Sequence, residues 1–237
     1  MGEYSYDPRT YEERYRKIYE SSAEFGEEPV ATEAFVDFIQ EFNLLEGSRA
    51  VDMGCGEGRD SIFLAKMGFN VTAIDASRST IERARKWAKR ERLAIDFLVA
   101  DFAYLPIRDG IYNLSINIAC LQMIIDQNSR DRHLCEAFRV LKRGAIYFSC
   151  NLRFDVSMSI EDFYKKLGKT PGDLIPRKIM VLGEEREIYF PIIAAWPKSK
   201  EQYLEEFRYA GFNILKAYKD TAKPAGSCLD TNNHAPE

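Results

Sequence analysis

The sequence has 237 residues, of which 46% are hydrophobic and 13% aromatic, and a chain of this size and composition can bury one full core. Its 33 basic and 37 acidic side chains give a formal net charge of −4, which provides no general attraction to nucleic acid or anionic lipid. No stretch approaches the roughly 20 apolar residues that a membrane-spanning helix needs, and the first residues lack the basic and then apolar pattern of a leader peptide. We therefore expect a single cytoplasmic domain with no membrane partner.

The cysteines are odd in number and widely spread along the chain. They are Cys55, Cys120, Cys135, Cys150 and Cys228. None shows the CxxC spacing that is typical of zinc ligands. We expect free thiols in a reducing compartment and no bound metal.

Short apolar strands alternate with amphipathic helices, a pattern typical of parallel βαβ units. Phe35, Phe38 and Phe42 recur at helical spacing and predict a helix over residues 29–43. The elements expected next are a strand at 49–53, a glycine loop, a helix at 60–67, a strand at 70–75, a helix from a Ser77 cap to about residue 92, strands at 95–100 and 112–118, a helix at 129–142 and a strand at 145–150. The prediction is an α/β fold with a doubly wound, seven-stranded, mostly parallel Rossmann-like sheet.

Residues 151–185 break this alternation, because glycines and prolines interrupt them. We interpret them as an insertion that covers a small acceptor, with a dimer contact as the alternative. A sixth strand is expected at about 186–193, a helix at 198–210, a seventh strand at 212–218 and a loose tail from residue 222. The expected single domain, 1–237, comprises an N-terminal helical lid (1–46), a cofactor-binding core (47–150), the insertion (151–185), C-terminal strands and a helix (186–221) and the tail (222–237).

The loop after the first strand carries glycines at alternate positions, namely Gly54, Gly56 and Gly58. Glycine lets a backbone turn sharply and approach a ligand closely, and the GxGxG spacing differs from the GxGxxG of dinucleotide-binding loops. Asp52, Glu57 and Asp60 surround the loop, where carboxylates would repel a pyrophosphate at the following helix. Asp75 and Asp101 follow the next two strands, on the edge where open α/β sheets bind ligands. This arrangement indicates a ligand with net positive charge.

Residues 51–59, V-D-M-G-C-G-E-G-R, resemble motif I of class I S-adenosylmethionine-dependent methyltransferases, and residues 71–77, V-T-A-I-D-A-S, resemble motif II. The segment A-D-F at residues 100–102 is similar to the one that reads adenine in that family. The resemblance covers about residues 47–150, and residues 56–75 place it nearest the small-molecule branch of tellurite and thiopurine methyltransferases. It implies an enzyme that uses S-adenosylmethionine, releases S-adenosylhomocysteine and methylates a small molecule.

The resemblance also implies roles for individual residues. Asp75 would accept hydrogen bonds from both ribose hydroxyls, and Asp101 would accept one from the adenine amino group. Asp52 would brace the glycine loop from behind, and Tyr15 would cover the methionine end, with Tyr11 behind it. The full expected cofactor-binding set is Tyr15, Asp52, Gly54, Cys55, Gly56, Gly58, Asp75, Ala76, Asp101, Phe102 and Ile118.

Three residues near the ends of strands four and five are candidates for acceptor binding, namely Gln122, Asn151 and Arg153. Methyl transfer from a sulfonium is an in-line displacement, so alignment and exclusion of water can supply much of the catalysis. A general base is needed only where the acceptor holds its proton tightly. No base is identified, and Gln122 and Tyr15 are the candidates for a catalytic role. His133 is expected at the surface and His234 in the loose tail.

Other functions stay open at this point. The helix at 78–92 carries seven basic residues against two acids, a stripe that fits an RNA or protein methyltransferase, although the acidic chain as a whole disfavours a nucleic-acid partner. A protein that binds the cofactor without turnover is a second possibility, because Tyr112-Asn113 stand where the family commonly has an Asp. A nicotinamide dehydrogenase is disfavoured by the loop spacing and charge. The expected state is a monomer or a homodimer.

Overall fold

The computed structural model describes residues 7–20, 31–42, 44–152, 160–169, 173–181, 184–191, 198–220 and 226–232. The helices are α1 (Pro8–Glu20), α2 (Glu33–Phe42), α3 (Arg59–Lys66), α4 (Arg78–Arg90), α5 (Gln127–Val140), α6 (Ile160–Leu167) and α7 (Lys200–Tyr209). The strands are β1 (Arg49–Met53), β2 (Asn70–Asp75), β3 (Asp96–Val99), β4 (Tyr112–Ile118), β5 (Leu141–Leu152), β6 (Leu174–Val181), β7 (Glu184–Pro191), β8 (Asn213–Asp220) and β9 (Gly226–Asn232). A turn of 3₁₀ helix spans Leu121–Met123 after β4.

Five strands pair in parallel in the order β3-β2-β1-β4-β5. The chain runs outward from β1 to β3 and then returns to the other side of β1 with β4, so the strand order reverses between β1 and β4. Asp52 of β1 lies opposite Ala73 on one side and Ile116 on the other. The carboxyl ends of these strands meet at the reversal, which is where open α/β sheets bind their ligands. The expected parallel, doubly wound α/β sheet is confirmed for these five strands.

Helices cover both faces of the parallel strands, because successive side chains of a strand point to opposite faces. On one face, the rings of Phe35 and Phe38 from α2 lie 5.2 and 4.7 Å from that of Phe148 on β5. On the other face, the neighbouring Tyr147 stacks on Phe212 with ring centroids 5.1 Å apart, in a core to which α5 and α7 contribute. Two apolar layers therefore hold the sheet and fix its ligand-binding edge.

Helices α4 and α5 each begin directly after a residue whose side chain caps the helix. Ser77 accepts a hydrogen bond from the Thr80 amide, as the predicted cap of α4. Asp126 does the same for the Ser129 amide at the start of α5. Side-chain caps of this kind satisfy amides that have no partner within the helix. None of the helices in the described part of the chain is long and apolar enough to cross a bilayer.

The predicted sixth strand of the main sheet, at about 186–193, is wrong. Residues 184–191 form β7, which pairs antiparallel with β6 in a separate two-stranded sheet. Strands separated by only two residues pair most readily with each other. Residues 192–193 lie outside the described residues.

The predicted loose tail differs from the structure at Gly226–Asn232. These residues form β9, which lies between β5 and β8 and pairs antiparallel with both. Glycine and asparagine disfavour strands when considered alone, but pairing on both sides outweighs such preferences. Residues 222–225 and 233–237, and with them His234, lie outside the described residues.

Candidate cofactor and acceptor site

The glycine loop joins β1 to α3 and turns through left-handed residues. The φ angles at Gly54, Gly56 and Gly58 are +87°, +56° and +83°, a region that side chains with a Cβ rarely adopt. The amides of Gly54 and Cys55 both donate to the Ile74 carbonyl of β2, at 2.8 and 2.9 Å. A Cβ on Gly54 would collide with Cys120, whereas one on Gly56 would meet no atom within 4 Å. The loop is therefore pressed against the end of β4 at Gly54 and open at Gly56.

Asp75 ends β2 directly beside this loop, with a side chain that is only 9% exposed. Its Oδ2 accepts from the Gly56 amide at 2.9 Å and its Oδ1 accepts from the Ser77 amide at 2.9 Å. Burial raises the pKa of Asp75 to about 6, against the lowering effect of those amides. An ionised carboxylate offers about four acceptor positions, so acceptor capacity remains for the hydroxyl groups of a ligand. Asp75 thus ties the loop to β2 and presents oxygen acceptors at the sheet edge.

Asp52 and Asp60 lie behind the loop. Asp52 is 2% exposed and accepts from the Ser61 hydroxyl at 2.6 Å. Burial, and then the neighbouring Asp60, raise the pKa of Asp52 to about 8, so its carboxyl group is protonated at neutral pH. Asp60 accepts from the Thr32 amide at 2.7 Å, at the entry to α2. Asp52 therefore brings no negative charge to the ligand edge at neutral pH, although its place in the sequence suggests one.

Asp101 lies beside Asp75 because of the pairing between β2 and β3. The Ala100 amide donates to the Asp75 carbonyl at 3.1 Å, and the Ala103 amide donates to Asp101 Oδ1 at 2.9 Å. The Phe102 ring is buried and meets His133 edge-on, with centroids 5.0 Å apart. The turn after β3 is therefore anchored to β2 through Ala100 and to α5 through Phe102. The adenine-reading roles of Asp101 and Phe102 stay predictions.

Helix α1 packs across the start of α4. Glu12 accepts from the Ser79 amide at 3.1 Å and from the hydroxyls of Ser77 and Ser79 at 2.7 Å each. Burial opposes the ionisation of Glu12, but the hydrogen bonds from Ser79 and Ser77 outweigh it, so the pKa of Glu12 lies below its ordinary value. A carboxylate also stabilises a helix N-terminus. Tyr11 donates its hydroxyl to the Met123 carbonyl at 2.6 Å, so α1 also contacts the segment after β4.

Two aromatic residues of α1, Tyr15 and Tyr19, lie near the acids Asp75 and Glu57. Tyr15 stacks on Tyr19 with ring centroids 6.1 Å apart, and burial and the nearby Asp75 raise the pKa of Tyr15 to about 12. The Arg83 guanidinium lies 4.5 Å from the centroid of the Tyr19 ring and 3.2 Å from a Glu57 carboxylate oxygen. The structure therefore brings Tyr15 to Asp75, and it pairs Glu57 with a cation.

Gln122 and Asn151 come from different elements and meet at the ends of β4 and β5. The backbone amide of Gln122 donates to Asn151 Oδ1 at 3.2 Å, and Asn151 Nδ2 donates to the Ser149 hydroxyl at 2.6 Å. Both side chains are buried. Ile118, at the end of β4, packs into the core on the α2 face of the sheet, and Arg153 lies outside the described residues. Two of the three predicted acceptor residues are thus adjacent.

Two buried polar residues that the sequence analysis does not single out fix the segment after β4. Asn117 Oδ1 accepts from the Leu121 amide at 2.9 Å. Arg130 of α5 donates to the carbonyls of Leu121 and Ile124 and makes two hydrogen bonds to Glu206 of α7, at 2.8 and 2.6 Å. The paired guanidinium and carboxylate satisfy each other's charge. Helices α5 and α7 therefore hold the segment that carries Gln122.

The predicted surface position of His133 is wrong. Its side chain is fully buried, and its Nε2 lies 2.9 Å from Asn117 Nδ2. Burial, and then the neighbouring Arg130, lower the pKa of His133 to about 3, so the ring is neutral. His133 lies at helical spacing from the buried Arg130, Ala137 and Val140, so it belongs to the buried face of α5.

The edge of the sheet beside the glycine loop therefore offers carboxylate oxygens from Asp75 and borders open space at Gly56, with Tyr15 close enough to Asp75 to feel its charge. In the residues that the structure describes, no group of three or more His, Cys, Asp and Glu is arranged to hold a metal ion.

Comparison with known proteins gives a family match over part of the chain. Residues 50–144 match the family described as a methyltransferase domain. The glycine loop, Asp75 and Asp101 all lie within this match. Residues 50–144 are therefore similar to a methyltransferase domain, and the chain has an α/β methyltransferase fold.

Curated relatives that match part of the chain include two ubiquinone biosynthesis O-methyltransferases. The ubiquinone biosynthesis O-methyltransferase of Rickettsia felis is 33% identical over 121 residues, which cover 47% of this chain and 48% of that protein. The protein of the same name from Rickettsia prowazekii is 33% identical over 121 residues, covering 47% of this chain and 46% of the relative. The chain thus spans about half the length of the curated relatives that it matches.

Solved structures share the fold at low identity. The 4+2 cyclase SpnF superposes with a TM-score of 0.73 at 16% identity and covers 100% of both chains. An S-adenosylmethionine-dependent methyltransferase from Methanosarcina mazei superposes with a TM-score of 0.61 at 21% identity, covering 87% of this chain and 100% of that one. These likenesses establish the fold alone.

Proposed function

We propose that this protein transfers a methyl group from S-adenosylmethionine to an oxygen atom of a small-molecule acceptor. One observation carries the proposal: the buried Asp75 carboxylate lies at the end of β2, hydrogen-bonded to the Gly56 amide of a loop that turns through three left-handed glycines. The methyltransferase domain over residues 50–144 supports the same activity. The names of the curated relatives favour an oxygen acceptor.

The cofactor set retains the roles expected from the sequence. Asp75 accepts from the ribose hydroxyls, Asp101 from the adenine amino group, and the backbone of the glycine loop approaches the methionine end. Asp52 acts from behind the loop through its contact with Ser61. The remaining proposed contacts are those of Tyr15, Cys55, Gly58, Ala76, Phe102 and Ile118.

Catalysis of methyl transfer is proposed to come from aligning the acceptor with the methyl group of the cofactor. S-adenosylmethionine supplies a methyl group already activated by a sulfonium, and the chain has to orient the acceptor and exclude water. Tyr15, with a pKa raised to about 12, keeps its proton at neutral pH and so acts as a hydrogen-bond donor rather than a base. The side chain of Gln122 ends in a carboxamide, which does not titrate, and its proposed role is to orient the acceptor together with Asn151, which accepts from the Gln122 backbone amide.

The acceptor is proposed to enter beside the segment after β4, between α1 and the end of β5. Tyr11 already joins α1 to this segment through Met123. We propose α1 as the lid over the cofactor and residues 151–185, including Arg153, as the cover over the acceptor. A tellurite- or thiopurine-type acceptor remains an alternative to a hydroxyl-bearing one, and the working assembly is a monomer or a homodimer in the cytoplasm.

Replacing Asp75 tests the cofactor site directly. Asp75→Ala should weaken S-adenosylmethionine binding by about 1.5–3 kcal/mol, the scale of hydrogen bonds to a charged group, as measured by calorimetry. The matched control is Asp96→Ala, because Asp96 is exposed at the amino end of β3, away from the ligand edge. Equal affinities for the wild type and Asp75→Ala would contradict the assignment.

A second function deserves a test because a protein of the same fold is described as a 4+2 cyclase. The fold alone therefore does not require methyl transfer. Incubation with methyl-labelled cofactor and a panel of small hydroxylated metabolites separates the two. Label in a product supports the methyltransferase, whereas binding without transfer across a broad panel favours a protein that uses the fold for something else.

A further inference from the structure

Two cysteines occupy paired register positions on the strands β5 and β9. In this antiparallel pair, Cys150 is the register partner of Cys228. The partner of Cys228 on its other side is Tyr218 of β8. The two cysteines are far apart in the sequence and adjacent only because β9 joins the sheet beside β5.

The backbone geometry brings this pair especially close. The Ala119 amide of the segment after β4 donates to the Cys150 carbonyl at 2.7 Å. The amide and carbonyl of one strand residue point to the same side, so the backbone bonds of Cys150 are directed at β4 and away from β9. The pair between Cys150 and Cys228 is therefore of the non-hydrogen-bonded kind, in which the Cα atoms lie about 4.5 Å apart.

That separation is compatible with a covalent link. Disulfides join cysteines whose Cα atoms lie roughly 4.4–6.8 Å apart, and directly opposed residues of an antiparallel pair share one face of the sheet. Cys150 is half-buried on the α2 face, beside the core there. Among the other cysteines, Cys135 is exposed on α5, and Cys55 is buried in the glycine loop.

We propose that Cys150 and Cys228 are a redox-sensitive pair that forms a disulfide across β5 and β9. The oxidant is a small-molecule disulfide such as oxidised glutathione. One cysteine thiolate attacks it and releases one glutathione thiolate, and the second cysteine thiolate then attacks the mixed disulfide and releases the other. The protein loses two protons and two electrons in total, and the oxidant is reduced to two thiols.

The cysteine pair lies directly beside Asn151, a candidate acceptor-binding residue. Asn151 follows Cys150 directly, and its Oδ1 holds the Gln122 amide. A disulfide at Cys150 would attach β9 covalently to the strand that carries Asn151. This inference rests on the strand pairing and not on the proposed methyl transfer, so either can fail without the other.

The test uses the full chain in glutathione buffers of increasing oxidised fraction, followed by alkylation, trypsin digestion and mass spectrometry. The expected product is peptide 144–153 joined to peptide 220–237, with a mass two hydrogens below the sum of the two. Cys228→Ser should abolish the linked peptide. Cys135→Ser is the matched control and should leave it unchanged.

Two outcomes would overturn the proposal. One is complete alkylation of both cysteines at every oxidised fraction, while the exposed Cys135 becomes glutathionylated and so shows that the oxidant is active. The other is a link that joins Cys150 or Cys228 to a different cysteine, or to a second copy of the chain.

Discussion

The Asp75 side chain has two roles: it holds the glycine loop, and it is proposed to bind the ribose of the cofactor. The first requirement uses the amides of Gly56 and Ser77, and the second needs the ionised form of the carboxyl group. Burial works against ionisation and raises the pKa of Asp75 to about 6. The proposed cofactor site is therefore sensitive to pH just below neutrality.

We predict that affinity for S-adenosylmethionine falls as the pH drops through 6. With a pKa of about 6, most Asp75 side chains are protonated at pH 5, so the affinity there should be about tenfold weaker than at pH 7. Calorimetry across this range gives the profile. Asp75→Asn should bind weakly and with little pH dependence, and a flat profile for the wild type would contradict the assignment.

Gly54 is the loop position where a side chain is least tolerable. A Cβ there would collide with Cys120, in addition to the strain at φ +87°. Gly54→Ala should lower the free energy of unfolding by about 1–3 kcal/mol for overpacking and by roughly 1–2 kcal/mol for the left-handed backbone, as measured by urea unfolding. The control is Gly47→Ala, at φ +79° with no atom within 4 Å of its Cβ. Equal losses in the two variants would show that the contact with Cys120 does not matter.

At the level of single residues, the sequence predicts the backbone-dependent part of the site well. The glycine spacing requires a tight turn, and each of its glycines has a positive φ. Burial of polar side chains is harder to predict, because it depends on partners from distant elements. Arg130 lies four residues before the apolar Leu134, so helical spacing could have placed it on the buried face, but only the position of Glu206 on α7 explains why a charge is tolerated there.

Helix α1 is the element whose attachment depends most on one side chain. Glu12 accepts three hydrogen bonds at the start of α4. Glu12→Ala should release the helix, with faster hydrogen exchange over residues 8–20 and weaker cofactor binding, by at least about tenfold if one charged hydrogen bond is worth roughly 1.5–3 kcal/mol.

The neighbouring Glu13 provides the control for this prediction. It is exposed and pairs with Lys17 of the same helix at 2.9 Å, and such surface pairs contribute little. Glu13→Ala should therefore leave the exchange of α1 nearly unchanged. Similar exchange rates in the two variants would show that Glu12 does not anchor α1.

At the level of elements, patterns in the sequence predict the five parallel strands and the helices between them, because each is defined by local periodicity. They do not predict which strands pair. The β6–β7 hairpin and the antiparallel β9 both depend on backbone pairing that side-chain patterns do not encode.

Strand β9 pairs with the edge of β5 that faces away from β4. Truncation after Asp220 would remove β9 and leave the backbone groups of β5 unpaired on that side, and unpaired strand edges promote association between chains. We expect a less stable protein that forms larger particles by light scattering after size-exclusion chromatography. Truncation after Asn232 retains β9 and should behave as the full chain does, and a monodisperse, stable product from the shorter chain would contradict this role of β9.

The order of strands across the sheet also constrains when the sheet can be completed during synthesis. β9 leaves the ribosome after β8, yet it lies between β8 and β5. A growing chain that has produced β8 has nothing to pair it with in its final position until several more residues have emerged. The five parallel strands can assemble early from neighbouring segments. The antiparallel flank needs β9 before it can form, and the pairing of β9 with β5 joins residues far apart in the chain, the kind of contact that forms slowly.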